Sequence, residues 1–358
     1  MNQKARKFCS LLVISMTFLV LFSLFATIFN MVKKDQEPPT LRIGVAMYSQ
    51  EDTFILSLVQ NLEQMAQQRE TEEGIRININ VVDGKSSQLI QNEQIEHLIS
   101  LDYDILCVNI VDRTSAALLI DQARQAEIPI IFFNRQPVME DLMRWELAYY
   151  VGAPAEQSGI LQGEIALQLW EEQRERVDLN GDGILQYVIL EGEPGHQDTL
   201  IRTEKCIQVI TDAGIQAEKL VSDTANWNRE QAAAKITLWW QEYGREIEVV
   251  FANNDDMALG VLDVMTQLKV EQPYPVIIGV DATEEAIEAV ADGRLSGTVL
   301  NDGAGIAKTM LELSLSLYHG QDPQDVFSIQ DQSIWLPYYS ITQKEVEQLY
   351  ANYASIQP

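Results

Sequence analysis

Residues 178–202 read DLNGDGILQYVILEGEPGHQDTLIR and combine a loop, a strand and a polar turn in one short run. The loop carries Asp178, Asn180 and Asp182 at alternate positions, and Gly183 follows. This spacing is typical of the first half of a calcium loop, where side-chain oxygens surround the cation and a glycine permits the sharp turn. The run then continues as the β-like segment LQYVIL, so the loop is predicted to lead into a strand.

The second half of this loop departs from the EF-hand pattern. An EF-hand requires a bidentate Glu at position 12, where this sequence has Ile189. The Ile184 carbonyl and the Gln186 side-chain oxygen are further candidate ligands, and at least one carboxylate would have to come from elsewhere in the chain. The alternative is an ordinary turn, because Asp, Asn and Gly favour turns without any metal.

A polar cluster follows the predicted strand, with His196, Asp198 and Arg202 on a turn and the start of a helix. Asp198 and Arg202 are four residues apart, so they share one helix face and are able to contact the same polar ligand. The alternative for this segment alone is a helix N-cap with a surface ion pair.

Length and charge restrict the class of protein. The 358 residues are 46% apolar, which is enough for a large core and usually for two domains. The net charge of −28 argues against nucleic acid and anionic membrane surfaces as partners, because both would repel the chain. The three cysteines, Cys9, Cys107 and Cys206, have no metal-type spacing, and no disulfide framework is expected.

The first 40 residues differ from the rest. Basic residues precede an apolar run at 11–32, and Lys33 and Lys34 follow it. A run of about twenty apolar residues fits a membrane-spanning helix and exceeds the usual apolar core of a cleaved signal peptide. We therefore expect residues 1–40 to be an uncleaved signal anchor and linker, with secretion after signal cleavage as the alternative. In both cases the acidic globular part is exported.

From residue 41 onward, β-like and helical segments alternate in two successive series. Such alternation predicts an α/β fold with parallel strands and helices on both faces of each sheet. Ligands of open α/β sheets bind beyond the carboxyl ends of the strands, and polar residues follow several predicted strands. These are Asp52, Asn134, His196, Asp198, Asn254, Asp281 and Asn301. Each alone is explained by a helix cap or turn, but together they favour one crevice between two lobes.

Six motifs follow one another in the chain: DLNGDGxLQ, GEPGHxDxxxRT, DTAxW, ANNDxMAxG, GVDA and GTVLND. In this order they resemble the galactose/glucose-binding members of the type I periplasmic sugar-binding protein family. The resemblance implies two similar parallel-sheet lobes joined by a three-segment hinge. It places residues 41–151 and 302–336 in the N-terminal lobe, and residues 152–301 and 337–358 in the C-terminal lobe.

The family binds one pyranose between its lobes, with polar side chains on the hydroxyls and aromatic rings on both faces. By resemblance, the rings are Phe54 and Trp227. The polar set is Asp52, Asn134, His196, Asp198, Arg202, Asn254, Asp281 and Asn301. The resemblance also implies one structural calcium ion, for which Glu248 supplies the remote carboxylate. Departures from the family motifs stand beside the matching positions, at Glu51, Thr53, Arg135 and Asp256.

The resemblance implies a non-enzymatic, monomeric receptor that closes around D-glucose or D-galactose and delivers it to an ABC transporter permease. A chemoreceptor in chemotaxis or a sensor kinase is a further expected partner. One alternative is a glycoside hydrolase using Asp52 with Asp198 or Asp281, since such enzymes need two carboxyls at a fixed separation. A sugar-responsive repressor is disfavoured, because an apolar segment stands where a helix-turn-helix would be expected.

The apolar run at 11–32 generates a prediction about membrane attachment. We expect the full-length protein to sediment with membranes and to be released by detergent but not by high salt. Fractionation followed by N-terminal sequencing checks this expectation. Recovery of a soluble extracytoplasmic form that begins after about residue 26 would contradict it, because a signal peptidase would then have removed the segment.

Overall fold

The computed structural model describes residues 38–348, so the anchor predicted at 11–32 lies outside the described residues. Within 38–348, no helix combines the length and the apolar character needed to span a bilayer.

The described chain alternates between strands and helices, as predicted. The strands are β1 (Thr40–Met47), β2 (Arg76–Asp83), β3 (Ile105–Val108), β4 (Ile130–Phe133), β5 (Ala148–Gly152), β6 (Leu185–Glu191), β7 (Ala217–Thr224), β8 (Val249–Ala252), β9 (Val276–Ile278), β10 (Thr298–Leu300), β11 (Ser333–Trp335) and β12 (Tyr339–Ile341). The helices are α1 (Thr53–Glu73), α2 (Gln88–Ser100), α3 (Ala116–Gln125), α4 (Met139–Leu142), α5 (Ala155–Glu172), α6 (Arg174–Val177), α7 (Gln197–Asp212), α8 (Arg229–Tyr243), α9 (Asp255–Gln267), α10 (Glu284–Ala291) and α11 (Gly303–Tyr318). Residues 343–348 are also helical.

Two sheets organise the molecule. The first has the order β11-β5-β4-β3-β1-β2, and all its pairings are parallel. The second has the order β7-β6-β8-β9, also parallel, and the antiparallel pair β10-β12 lies beside it through bridges from Ile278 to Gly297 and from Asp281 to Leu300. In each sheet the strand order reverses next to the strand that opens the series, at β1/β3 and at β6/β8. Ligands bind at such switch points.

Alternate residues of a strand pack into separate hydrophobic cores on the two faces of each sheet. In β3, Ile105 and Cys107 pack in one core, whereas Leu106 and Val108 pack in the other. In the second sheet, β6 divides in the same way between two cores. Because successive strand side chains point to opposite faces, both faces must be covered, and helices cover them. The α/β fold class predicted from the sequence is confirmed.

The apolar pattern in the sequence of helix α1 ends near Gln68, but the helix itself is longer. It begins after Asp52, whose side chain accepts a hydrogen bond from the Ile55 amide at 2.9 Å. It continues to Glu73 and ends at Gly74, which has a φ of 67° and so adopts a left-handed conformation. The last turn is polar, and its Arg69 pairs with acidic side chains of the same turn.

A buried glutamine connects helix to strand ends in each lobe. In the first lobe, Gln91 of α2 donates to the Asn109 carbonyl at 2.9 Å and accepts from the Val111 amide at 3.0 Å. In the second lobe, Gln162 of α5 donates to the Ala252 and Ile278 carbonyls. Backbone groups at the end of a parallel strand lack a partner within the sheet, and these glutamine side chains supply one. The bonds thereby fix the loops that follow the strands.

The chain passes between the two sheets three times, after β5, after β10 and after β11. The second passage returns the chain to the first lobe, where α11 packs against α1 and β11 extends the sheet beside β5. The third passage leads into β12 of the second lobe. The carboxyl ends of both sheets therefore face one cleft that the three connecting segments border.

Candidate ligand-binding cleft

Side chains from both lobes converge on one cleft between them. Its lining is Asp52, Phe54, Asn134, Arg135, His196, Asp198, Arg202, Trp227, Asn254 and Asp281. Nine of the ten predicted binding residues are in this set. The tenth, Asn301, is buried behind Asp281 and donates to its Oδ1 at 3.3 Å. The structure thus brings the predicted residues together, and their role in binding stays a prediction.

Asp52 stands at the end of the first strand and holds two partners at once. Its Oδ1 accepts from the Ile55 amide as the N-cap of α1, and its Oδ2 accepts from the Tyr48 hydroxyl at 2.6 Å. Each carboxylate oxygen has a further lone pair. The two bonds therefore orient the carboxylate and leave it able to accept from a ligand.

His196, Asp198 and Arg202 form one hydrogen-bonded group at the start of α7. The imidazole Nδ1 accepts from the Asp198 amide at 3.1 Å, and burial beside Arg135 and Arg202 holds the pKa of His196 well below its usual range. A neutral ring whose Nδ1 accepts carries its proton on Nε2, so His196 presents a donor there. Asp198 accepts from Arg202 at 3.0 Å, and burial raises the pKa of this carboxyl although the guanidinium opposes the rise.

The far end of the cleft is formed by Asn254 and Asp281. Asn254 caps α9 by accepting from the Met257 amide at 3.1 Å, and its amide nitrogen donates to the Trp227 carbonyl at 3.2 Å. Burial raises the pKa of Asp281 well above the ordinary value, with Arg202 opposing the rise. The hydrogen bond from Asn301 and the charge of Arg202 do not offset the cost of burying this carboxyl. A ligand that donates hydrogen bonds to it would therefore be favoured.

Aromatic rings form two walls. Trp227 lies over the backbone of Gly192, where an added Cβ would come within 2.1 Å of the indole, so only glycine fits there. The indole also meets the His196 ring edge-on, with centroids 5.2 Å apart. Phe54 is the second wall and is 8% exposed. Such rings stack on flat apolar surfaces and exclude water at a small cost in side-chain entropy.

Three lining residues have left-handed backbone conformations that side chains rarely adopt. The φ angles are 58° at Asn134, 61° at Trp227 and 119° at Asp281. Such conformations persist only where surrounding contacts enforce them, and they concentrate at binding sites. The cleft therefore combines carboxylates, amides, a neutral imidazole and a guanidinium between two rings. This set suits a small polyhydroxylated molecule with apolar faces.

Comparison with known proteins identifies the family. The periplasmic binding protein domain family matches residues 43–322. The chain belongs to this family. A D-galactose/methyl-galactoside-binding periplasmic protein of Haemophilus influenzae is 35% identical over 84% of this chain and 89% of its own length. A putative rhizopine-binding protein of Rhizobium meliloti is 30% identical with the same coverage.

Solved structures show the same two-lobed architecture. An ABC transporter solute-binding protein of Bacillus halodurans with bound myo-inositol has a TM-score of 0.71 at 27% identity, over 89% of this chain and 99% of that one. A periplasmic solute-binding protein of Actinobacillus succinogenes with bound D-allose has a TM-score of 0.73 at 20% identity, over 87% of this chain and 99% of that one. The second likeness concerns the fold alone.

This periplasmic binding protein is an extracytoplasmic sugar-binding component of an ABC transporter, and it is not an enzyme. The glycoside hydrolase considered from the sequence has no support among its relatives. The carboxyls assigned to that reaction have other partners here, since Asp52 binds Tyr48, Asp198 binds Arg202 and Asp281 binds Asn301.

The structure adds residues that motif reading missed. Arg135, next to the matching Asn134 in sequence, also lines the cleft, is 5% exposed and stacks over Tyr48 with its guanidinium carbon 3.4 Å from the ring centroid. Tyr338 accepts from Arg202, and Asn109 donates to the Asn134 side chain at 3.2 Å. Tyr48 and Tyr338 lie in apolar or connecting stretches, so their sequence context gives no signal of a binding role.

The loop at 178–186 has features that suit a cation. Asp178 Oδ1 is buried without a hydrogen-bond partner among the described residues. Glu248, fully buried, accepts from the Leu179 and Gln186 amides and so faces the loop. Burial raises the pKa of Glu248 to about 6, and the charge of Asp178 adds to the rise. A divalent cation would relieve both effects.

Other contacts in this loop compete with a cation. Asp182 Oδ1 accepts from the Ile184 amide, and its Oδ2 accepts from Gln186 Nε2 at 2.9 Å. Asn180 in turn donates to Gln186 Oε1 at 3.3 Å. Between residues 38 and 348, no cluster of three or more His, Cys, Asp or Glu side chains is gathered closely enough to hold a metal. Calcium is therefore left as a proposal.

Asp255 supports the cleft from behind. It is fully buried, accepts from the Thr298 hydroxyl at 2.6 Å and from the Thr283 amide at 2.8 Å, and so fixes the segment that carries Asp281. Burial raises the pKa of Asp255 from 3.8 to about 6, although these hydrogen bonds oppose the rise.

The raised pKa of Asp255 predicts how its contribution to stability varies with pH. The folded chain binds a proton at this carboxyl more readily than the unfolded chain, so the wild type gains stability as pH falls through about 6, until the gain is complete below 3.8. Asp255→Asn does not titrate. The difference in unfolding free energy, wild type minus variant, should rise by about 2–3 kcal/mol between pH 7 and pH 4. Urea denaturation of both proteins, with the exposed Asp212→Asn as control, measures it. A pH-independent difference would contradict the prediction.

Proposed function

We propose that this binding protein captures a single D-hexopyranose, glucose or galactose, and delivers it to its ABC permease. The observation that carries the proposal is the convergence of nine predicted hexose-binding side chains on one cleft. The Haemophilus influenzae relative named for D-galactose and methyl-galactoside, at 35% identity, supports the same ligand class.

The chemistry of the cleft suits both sugars. Glucose and galactose differ in whether O4 is equatorial or axial, so a shared site needs an acceptor that tolerates two directions. The Asp52 carboxylate has that capacity, because Tyr48 and Ile55 each use only one lone pair of its two oxygens. Phe54 and Trp227 would cover the two apolar faces of the ring.

The same enclosure argues against a disaccharide. Phe54 and Trp227 would enclose a single ring between the two lobes. A second ring would press against polar groups that it leaves unpaired, and each buried unpaired group costs about 1–3 kcal/mol.

The location and further partners extend the proposal. The apolar segment at 11–32 would tether the protein to the outer face of the membrane, with the acidic lobes outside. A monomer held there would meet its permease by diffusion in two dimensions. A chemoreceptor or a sensor kinase would bind the same closed form, and co-purification of the sugar-loaded protein with each candidate would distinguish them.

We also propose one structural calcium ion at the loop preceding β6. Its ligands would be Asp178, Asn180, Asp182, the Ile184 carbonyl, Gln186 and Glu248. Support comes from the unpaired buried oxygen of Asp178 and from the raised pKa of buried Glu248. Binding would require the Gln186 oxygen to exchange its bond from the Asn180 amide for the cation, and the Asp182 carboxylate to exchange its bond from Gln186 Nε2.

The hexose proposal predicts a selective response to sugars. Titration calorimetry should show heat with glucose or galactose and none with ribose or maltose, and Trp227 fluorescence should change with the same sugars. Asp198→Ala and Asn254→Ala should each weaken binding at least about tenfold, because each removes a hydrogen bond to the ligand in a buried site. The exposed Asp212→Ala, on the same helix as Asp198, is the matched control.

Including myo-inositol in the panel makes that experiment decisive about ligand class. Binding of inositol, a pentose or a disaccharide without either hexose would refute the proposal while leaving the fold and the transport role intact.

The calcium proposal predicts a rise in melting temperature. Saturating calcium, at 100 times its Kd, should stabilise the folded chain by about 2.7 kcal/mol relative to excess chelator. Glu248→Gln should lose this response, and the exposed Glu246→Gln should keep it. Differential scanning calorimetry measures all three proteins. Equal melting temperatures of the wild type in calcium and in chelator would remove the site.

A further inference from the structure

Polar contacts outside the predicted sugar-binding set join the two lobes across the cleft. On one side, Arg135 of the first lobe forms an ion pair with Glu193 of the second, with Nη2 to Oε2 at 2.9 Å. Beside it, Gln197 Nε2 donates to Gln136 Oε1 at 2.9 Å. Arg135 follows β4 and Glu193 follows β6, so neither contact survives if the lobes separate.

A second contact lies on the opposite side of the cleft. Thr53, the first residue of α1, donates through its hydroxyl to Asp256 Oδ2 at 2.8 Å. Asp256 is in the first turn of α9 in the second lobe. The cleft is therefore flanked by cross-cleft contacts on both sides, and we name the pairs Arg135–Glu193 and Thr53–Asp256 the two cross-cleft pairs.

Closure also has an electrostatic cost that these pairs offset. Closing the lobes brings Asp52 of the first lobe near Asp256 and Asp281 of the second, in a chain whose net charge is already −28. The pKa of Asp256 is raised, mainly by burial and further by the charge of Asp52. The pKa of Asp281 is raised by burial, with Asp52 again adding to the rise. Like charges and burial both oppose closure over an empty cleft.

A ligand between Phe54 and Trp227 can enter or leave only when the lobes separate. Its apparent affinity therefore depends on the free-energy difference between open and closed lobes as well as on its own contacts. Any bond that exists only in the closed form contributes to that difference.

We propose that Glu193 and Thr53 are positioning residues for sugar binding, which hold the lobes closed through the two cross-cleft pairs without touching the ligand. The proposal rests on the proposed function, since it assumes a sugar that the closed cleft retains. Loss of Glu193 should cost more closed-state stability than loss of the Thr53 hydroxyl, because it would leave the buried guanidinium of Arg135 without its charged partner.

The pairs also connect to the binding set. Arg135 stacks on the ring of Tyr48, and the Tyr48 hydroxyl donates to Asp52. Asp52 in turn caps the helix whose first residue is Thr53. A ligand that orders Asp52 would thereby order the first-lobe members of both cross-cleft pairs.

The test compares Glu193→Gln, Thr53→Val and the double variant with the wild type, using stopped-flow Trp227 fluorescence with glucose and galactose. Dissociation should be roughly 5- to 20-fold faster in Glu193→Gln and roughly 3- to 10-fold faster in Thr53→Val, with association rates close to the wild type. Added salt should raise the dissociation rate of the wild type relative to that of Glu193→Gln, because only the wild type has this ion pair to screen, whereas screening of the repulsion among the cleft carboxylates is common to both proteins.

Two controls separate closure from general destabilisation. Thr53→Ser keeps the hydroxyl and should dissociate like the wild type. Glu156→Gln removes an ion pair of similar length, 2.8 Å to Lys205, that lies within the second lobe, and should also leave dissociation unchanged. Small-angle scattering of the ligand-saturated proteins should show a larger radius of gyration for the double variant than for the wild type.

The outcomes distinguish the two proposals. A wild type that binds hexose, with variants whose dissociation rates stay within about twofold of it, would overturn the cross-cleft pairs and leave the proposed function standing. A wild type that binds neither hexose would overturn the proposed function and this inference with it. Faster dissociation in Glu156→Gln equal to that in Glu193→Gln would also overturn the inference, because the effect would then not come from the cleft.

Discussion

The buried guanidinium of Arg202 is the interaction on which the cleft depends. It donates four hydrogen bonds to groups from separate parts of the chain: the Ser158 hydroxyl, the Asn253 carbonyl, the Asp198 carboxylate and the Tyr338 hydroxyl. Arg202 is 4% exposed, so each of these bonds is made in a medium where an unpaired charge is costly. One side chain therefore fixes a helix, a strand end and the last connecting segment relative to one another.

Around this cation, the cleft holds carboxyls whose pKa values burial has raised. Asp198 and Asp281 both lie within the influence of Arg202, which opposes the rise at each. A ligand rich in hydroxyls would supply hydrogen bonds to these buried carboxyls. Closure buries these carboxyls, which then need hydrogen-bond donors. A sugar would provide such donors without adding charge.

Much of this arrangement is readable from the sequence, because it follows from periodicity and from the places where strands end. Apolar runs such as 105–110 predict buried parallel strands, and polar residues just beyond them, such as Asn134 and Asn254, predict a crevice. Contacts between distant segments are not readable in this way. The sequence does not indicate that Arg135 is paired with Glu193, which is 58 residues away in the chain. Strand β11 has only three residues, and its pairing with β5 is determined by the fold.

The amide of Gln186 marks a different limit. Loop spacing identifies it as a metal ligand, yet the same side chain satisfies Asp182 with its nitrogen. Its oxygen accepts from Asn180 in the same loop, so both ends of the amide already have partners there, and spacing alone does not reveal these competing bonds.

The discontinuous first lobe imposes an order on folding. Its sheet receives β11 only after residue 335 has been made, and its helix α1 gains α11 as a packing partner from residues 303–318. The second lobe takes its parallel sheet from the continuous stretch 185–278. Because chains are synthesised from the N-terminus and close pairs need shorter loops, the parallel sheet β7-β6-β8-β9 can assemble while the first sheet still waits for β11, and β12 then completes the second lobe.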